Sequence, residues 1–66
     1  MKGPNAKPTV QLAGLDGNAF SVMGTVKKAL KRAGADKEYI DQYINEATLG
    51  DYNHLLAVSM AYVDFK

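Results

Sequence analysis

The pattern of apolar and polar residues changes character near the start of the chain. Residues 1–8 contain two prolines, a glycine and two lysines, which predicts a flexible or extended arm because proline and glycine interrupt regular structure. From Thr9 onward, Val10 and Leu12 fall on one side of an extended chain and their neighbours fall on the other. This alternation is typical of a half-buried strand. We therefore expect a flexible arm over residues 1–8 and a single domain over residues 9–66.

Apolar residues then recur every three or four positions over residues 19–33, which predicts a first helix with one face in the core. Asn18 is in the right place to cap the start of this helix, and Gly34 to end it in the left-handed conformation. Gly24 lies inside the helix, where glycine costs about 1 kcal/mol relative to alanine. We interpret this glycine as a sign that another backbone or a large side chain packs closely against it.

A second helix is predicted over residues 37–49, with Asp36 as its cap and Gly50 at its end. A third is predicted from residue 52 to about residue 62, after the cap Asp51.

The third helical segment is apolar on nearly all sides, which predicts burial on more than one side and indicates a subunit interface. The alternation of residues 62–65 indicates a second short strand that pairs with the first. The sequence thus predicts an α+β fold with a short N-terminal strand, three helices and a short C-terminal strand.

Composition narrows the classes of function. The chain has 66 residues, a net charge of +1 and no cysteine, so it forms one domain without disulfides or thiolate metal sites. A charge this small argues against strong nonspecific binding to polyanions. The sequence contains no membrane-spanning apolar run and no signal peptide. We expect a cytoplasmic protein that uses no cofactor and does not enter the membrane.

A basic cluster on the first helix has two interpretations. It consists of Lys27, Lys28, Lys31 and Arg32, which would suit a nucleic-acid-binding accessory protein that contacts phosphates. The simpler interpretation is a solvated face, with cations placed where the helix dipole favours them. We prefer the simpler one because the third helix, which a helix-turn-helix protein would use to read bases, has no lysine or arginine.

Catalytic chemistry has little material in this sequence. His54 is the only histidine, and we expect it to be a first-turn helix residue close to its capping aspartate rather than a general base or metal ligand. Ser21 and Ser59 have no evident base beside them, so we expect a protein that is not an enzyme and has no catalytic or metal-binding residues.

The glycine-rich turn before the first helix offers a further alternative. A small-ligand binder would use the corner formed by Asp16, Gly17 and Asn18, since a helix N-terminus attracts anions. The segment matches neither the dinucleotide fingerprint nor the phosphate-binding loop, and the Asp16 carboxylate would repel a phosphate. A structural corner between strand and helix is the favoured interpretation.

Self-association is the favoured function. The first strand has at most one short partner in its own chain, so at least one of its edges is open. The third helix has apolar surface that its own chain does not need to bury. We therefore predict a symmetric homodimer that acts by binding another protein. The residues predicted to form the interface are Val10, Leu12, Leu56, Met60, Tyr62 and Phe65.

Three segments resemble a group of small uncharacterised proteins of bacteria and phages. They are residues 12–20, with the turn Asp16-Gly17-Asn18-Ala19-Phe20, the run Ala29-Leu30-Lys31-Arg32-Ala33-Gly34, and residues 46–56, with the segment Gly50-Asp51-Tyr52-Asn53-His54-Leu55-Leu56. The resemblance covers nearly all of the chain after residue 8 and brings no known activity or ligand with it. It implies a free-standing small protein, and a phage-encoded inhibitor of a host or defence protein is the role it suggests.

Overall fold

The computed structural model describes residues 1–11 and 18–66. Along the chain the elements are β1 (Thr9–Val10), α1 (Ala19–Arg32), α2 (Lys37–Ala47), α3 (Tyr52–Tyr62) and β2 (Asp64–Phe65). The predicted α+β fold, with three helices between two short strands, is confirmed.

Each helix begins at the predicted capping residue, whose side-chain oxygen accepts a hydrogen bond from a backbone N–H of the first turn. Asn18 Oδ1 accepts from the Phe20 amide at 2.8 Å. Asp36 Oδ1 accepts from the Tyr39 amide, and Asp51 Oδ1 from the His54 amide, both at 2.9 Å. Such a bond satisfies an amide that has no partner within its helix, so the polar residue before each apolar stripe sets the start of the helix.

Helix α1 ends as the sequence predicts, at a glycine in the left-handed region. Gly34 has a φ of +100°; its amide donates to the Lys31 carbonyl at 3.1 Å, and the Ala35 amide donates to the Leu30 carbonyl at 3.0 Å. This pair of bonds is the Schellman motif. Helix α2 ends two residues earlier than predicted, at Ala47.

The two strands pair as predicted, and they run parallel. Thr9 lies opposite Asp64 and Val10 opposite Phe65. The Asp64 amide donates to the Pro8 carbonyl, and the Lys66 amide to the Val10 carbonyl, each at 2.9 Å. Parallel neighbours require a long crossover connection, and the three helices supply it. Both strands are shorter than the alternation indicated, since β1 ends before Gln11, Tyr62 belongs to α3 and Val63 precedes β2. The predicted continuation of the first strand to Leu12 lies outside the described residues.

The core lies between the helices and the buried side of the strands. Its largest fully buried side chains are Tyr43, Leu30, Val22, Val26, Val63 and Ser59. Within a single chain α3 buries one side, through Leu55, Ser59 and Tyr62, and the burial of its other sides at a subunit interface stays a prediction.

The N-terminal segment lies along the corner between α1 and α2. The Asn5 amide donates to the Ala33 carbonyl at 2.8 Å. Lys2 and Asp36 form a reciprocal pair, in which the Lys2 amide donates to Asp36 Oδ2 at 2.7 Å and the Asp36 amide donates to the Lys2 carbonyl at 2.9 Å. Lys2 and Asn5 thus have specific partners at this corner, and the flexibility of residues 1–8 stays a prediction.

The expected close packing against Gly24 is wrong for the part of the chain that the structure describes. A methyl group added there would meet no described atom within 4 Å. Close packing occurs at Gly50 instead, where an added Cβ would lie 2.7 Å from both Cβ and Cγ of His54. Glycine is needed at the α2–α3 turn because the first turn of α3 folds back over it.

Candidate functional site

The predicted interface residues divide into core and surface. Val10 and Tyr62 are buried within a single chain, whereas Leu56 and Phe65 are half-buried and Met60 is 56% exposed. Val10 and Tyr62 therefore offer almost no surface to a second copy, because both side chains already pack into the core of their own chain. Leu12 lies outside the described residues.

The surface that remains forms one side of α3, which we call the α3 outer face. Its members lie opposite the buried side of the helix and are spaced so that they adjoin one another; they are Asn53, Leu56, Ala57, Met60 and Ala61. Four of the five are exposed, and Leu56 is half-buried. Exposed helix faces normally carry charged residues, yet α3 contains no lysine, arginine, aspartate or glutamate along its length.

The basic cluster is fully on the surface. Lys27, Lys28, Lys31 and Arg32 are all exposed, and Lys31 and Arg32 occupy the last turn of α1, where the helix dipole stabilises cations. Among the residues that the structure describes, no carboxylate oxygen pairs with any of the four within 4.0 Å. The dipole accounts for the two last-turn cations and leaves Lys27 and Lys28, farther inside the helix, without a local electrostatic reason.

A cleft of about 310 Å³ opens between α1 and α2 beside this cluster, and we call it the lysine cleft. Lys27 and Lys31 line it from α1, and Lys37 and Asp41 line it from α2. Its two apolar lining residues, Ala35 and Ile40, are only 7% and 5% exposed, and we take them as the floor of the cleft. Three lysines from two helices thus line one cleft together with a single aspartate, an arrangement that the sequence pattern of α1 alone did not reveal.

His54 has a structural position at the α2–α3 turn. Its ring Nε2 donates to the Glu46 carbonyl oxygen at 2.8 Å, one of the carbonyls at the end of α2 that have no partner within that helix. Its backbone amide donates to Asp51. The histidine therefore links the end of one helix to the start of the next, and the closeness of Gly50 allows its ring to reach.

A polar cluster joins α2 to α3, and only part of it lies in the core. The hydroxyl groups of Tyr43 and Ser59 lie 2.6 Å apart and are buried. The half-buried part is at the Tyr62 hydroxyl, which donates to Glu46 Oε2 and accepts from Gln42 Nε2, each at 3.1 Å. The aromatic rings of Tyr43 and Tyr62 meet edge to face, 5.0 Å apart. Ser59 is thus part of the packing between the two helices.

Burial also changes the acidity of this cluster. It raises the pKa of Tyr43 above its usual 10.0, and the hydrogen bond with Ser59 offsets part of that rise. Burial likewise raises the pKa of Tyr62. Both phenols stay neutral well into the alkaline range. A helical pattern of mostly apolar residues with one serine on the buried side is the signal by which the sequence could have revealed this cluster.

The alternative corner is described only in part. Asn18 serves as the cap of α1, whereas Asp16 and Gly17 lie outside the described residues. In the described ranges, no three histidine, aspartate or glutamate side chains come together as ligands for a metal ion. No helix described by the structure is long and apolar enough to cross a membrane.

Comparison of the chain with protein-family models, with curated proteins and with solved structures finds no match.

Proposed function

We propose that this protein is a non-enzymatic interaction protein that self-associates through the α3 outer face and acts by binding another protein. The observation that carries the proposal is the α3 outer face itself, which is uncharged and largely exposed along the length of the helix. A cytoplasmic location, and the inhibition of a host or defence protein that the resemblance suggests, belong to the same proposal.

Charge favours a second copy as the occupant of the α3 outer face. In a symmetric dimer the same surface meets itself, so a charge near the symmetry axis would face its own copy; α3 has no such charge. Asp51 caps the start of the helix. The other end carries Lys66 beside Asp64, which Lys7 neutralises at 3.3 Å. Two α3 helices packed antiparallel would therefore bring a negative end to a positive end.

The size of the surface sets the expected affinity. Helix α3 has 11 residues, which corresponds to about 16 Å of helix. One face of that length falls short of the about 800 Å² per partner in a standard interface. The half-buried Phe65 of β2 would add a little area at the neighbouring strand edge. We expect a weak dimer, with a dissociation constant on the order of micromolar.

Sedimentation of the parent and of two matched variants tests this proposal. Met60→Glu places a charge in the centre of the α3 outer face and should convert the dimer to a folded monomer, because the Met60 side chain is already exposed. Phe20→Glu makes the same kind of change on α1, where the side chain is 79% exposed, and should leave the dimer intact.

The parent should sediment at twice the chain mass at concentrations above the dissociation constant. A parent that stays monomeric and folded at every concentration contradicts self-association. A dimer that Phe20→Glu dissociates and Met60→Glu does not would place the interface on a different surface.

A further inference from the structure

We propose that the lysine cleft binds an acidic peptide segment of the partner protein, with one apolar side chain of that segment on the floor of the cleft. This inference rests on the proposed function for the statement that the partner is a protein. It concerns a different surface from the α3 outer face.

The first argument is the position of Lys37. It is the first residue of α2, where the helix dipole disfavours a cation. Lys27 also lacks a dipole reason, and it shares the lysine cleft with Lys37 and Lys31. The helix dipole accounts for Lys31 but not for Lys27 or Lys37, whereas recognition of an anionic partner accounts for all three lysines that line the cleft.

The second argument is that the nearby carboxylates leave this positive charge largely uncompensated. Asp36 accepts hydrogen bonds from the Tyr39 and Lys2 amides, and these bonds, the Tyr39 one foremost, lower the pKa of its carboxyl. Asp41 lines the cleft, yet within the described ranges no carboxylate forms an ion pair with Lys27, Lys31 or Lys37. A partner with two or more carboxylates would therefore meet lysines from both helices that have no ion pair among the described residues.

The shape of the cleft favours a peptide over a nucleic acid. A volume of about 310 Å³ suits one or two side chains, and the floor of Ala35 and Ile40 suits an apolar one. Among the described residues that line the cleft none is aromatic, so these residues offer nucleotide bases no stacking platform. A peptide with acidic residues on both sides of a leucine matches the charge and the floor together.

Fluorescence anisotropy with defined probes tests the inference. The first probe is a labelled peptide of two glutamates, a leucine and two more glutamates; the second replaces the leucine with glycine, and the third is a labelled oligothymidylate. At an ionic strength of about 0.15 M, the parent should bind the leucine peptide more tightly than either other probe.

Two double variants, each of which removes two positive charges from α1, distinguish binding in the lysine cleft from nonspecific attraction to the charge of the helix. Lys27→Gln with Lys31→Gln removes two cations that line the cleft, whereas Lys28→Gln with Arg32→Gln removes two exposed cations outside it. The first pair should weaken binding of the leucine peptide about tenfold, as expected for the loss of two ion pairs. The second pair should weaken it by less than about threefold.

Equal weakening by both pairs of substitutions, equal affinity for the leucine and glycine peptides, or no binding would each overturn the inference. Oligothymidylate binding at least as tight as peptide binding would assign the surface to nucleic acid instead. Sedimentation of the same samples reports self-association separately. Loss of the peptide site in a protein that still dimerises therefore refutes this inference and leaves the α3 interface standing.

Discussion

The buried hydrogen bond between Tyr43 and Ser59 predicts an asymmetric pair of substitutions. Ser59→Ala leaves the Tyr43 hydroxyl without its 2.6 Å partner in a site where both residues are 0% exposed. An orphaned buried hydroxyl costs about 1–3 kcal/mol, so we expect a loss of about 2 kcal/mol in the free energy of unfolding. Tyr43→Phe should cost only about 1 kcal/mol, because a helical serine hydroxyl can turn to the carbonyl one turn earlier, that of Leu55.

The double variant distinguishes hydrogen bonding from packing. When both hydroxyls are removed, no polar group is left unsatisfied. We therefore expect a double variant that is about 1 kcal/mol less stable than the parent, well below the sum of the single losses. Tyr52→Phe, at an exposed tyrosine, is the control and should change stability by less than about 0.5 kcal/mol.

Urea denaturation is the measurement. A domain of 66 residues has an unfolding free energy of about 3–10 kcal/mol and an m-value of about 1 kcal/mol/M. Ser59→Ala should therefore lower the unfolding midpoint by about 2 M urea, a shift that is easily resolved. Additive losses in the double variant would refute the reasoning, since they would mean that the two hydroxyls contribute independently.

Three further predictions concern stability. Gly24→Ala should raise the free energy of unfolding by about 1 kcal/mol. Gly50→Ala should lower it, because the added Cβ would lie 2.7 Å from the His54 side chain. Urea midpoints that shift in the same direction in both variants would contradict this pair of predictions. The pKa of Asp36 is lowered from 3.8, so its negative charge stabilises the fold above that pH. The difference in free energy of unfolding between the parent and Asp36→Asn should therefore shrink as the pH drops below 3.8. A difference that stays constant with pH would contradict this prediction. The pKa of Tyr43 is raised above 10.0, so the stabilising effect of its neutral hydroxyl holds below pH 10.0 and is lost as the pH rises further. Tyr43→Phe should therefore flatten the alkaline loss of helical circular dichroism. Parallel pH curves for the parent and the variant would contradict this prediction.

The helices were predictable because their signals are local. A capping side chain and its amide lie within three residues of each other, so Asp36 and Asp51 could be recognised from sequence alone. The left-handed turn at Gly34 is local in the same way. The interpretation of Gly24 failed because a glycine inside a helix does not reveal what lies beside it. The requirement at Gly50 depends on how the next helix folds back, which no pattern within either helix shows.

The lysine cleft and the core polar cluster depend on contacts between helices. Lys37 belongs to a different helical pattern from Lys27 and Lys31, and only the packing of α1 against α2 brings the three together. Tyr43 and Ser59 are likewise 16 positions apart in sequence. The α3 outer face was partly predictable, since the absence of charge is visible in the sequence. The sequence alone does not show that Met60 is exposed and Tyr62 is buried, because that depends on which side of α3 faces the core.

The parallel pairing of β1 with β2 has a consequence for the order of folding. Thr9 and Asp64 are separated by about 55 positions, and closing a flexible loop of that length costs roughly 3.5 kcal/mol of chain entropy. A ladder of two residues per strand cannot offset that cost before the helices between them have packed and brought the ends together. The strands should therefore join after the rate-limiting step. Substitutions that weaken the pairing of β1 with β2 should therefore speed unfolding and leave the folding rate nearly unchanged. Their φ-values should be close to zero.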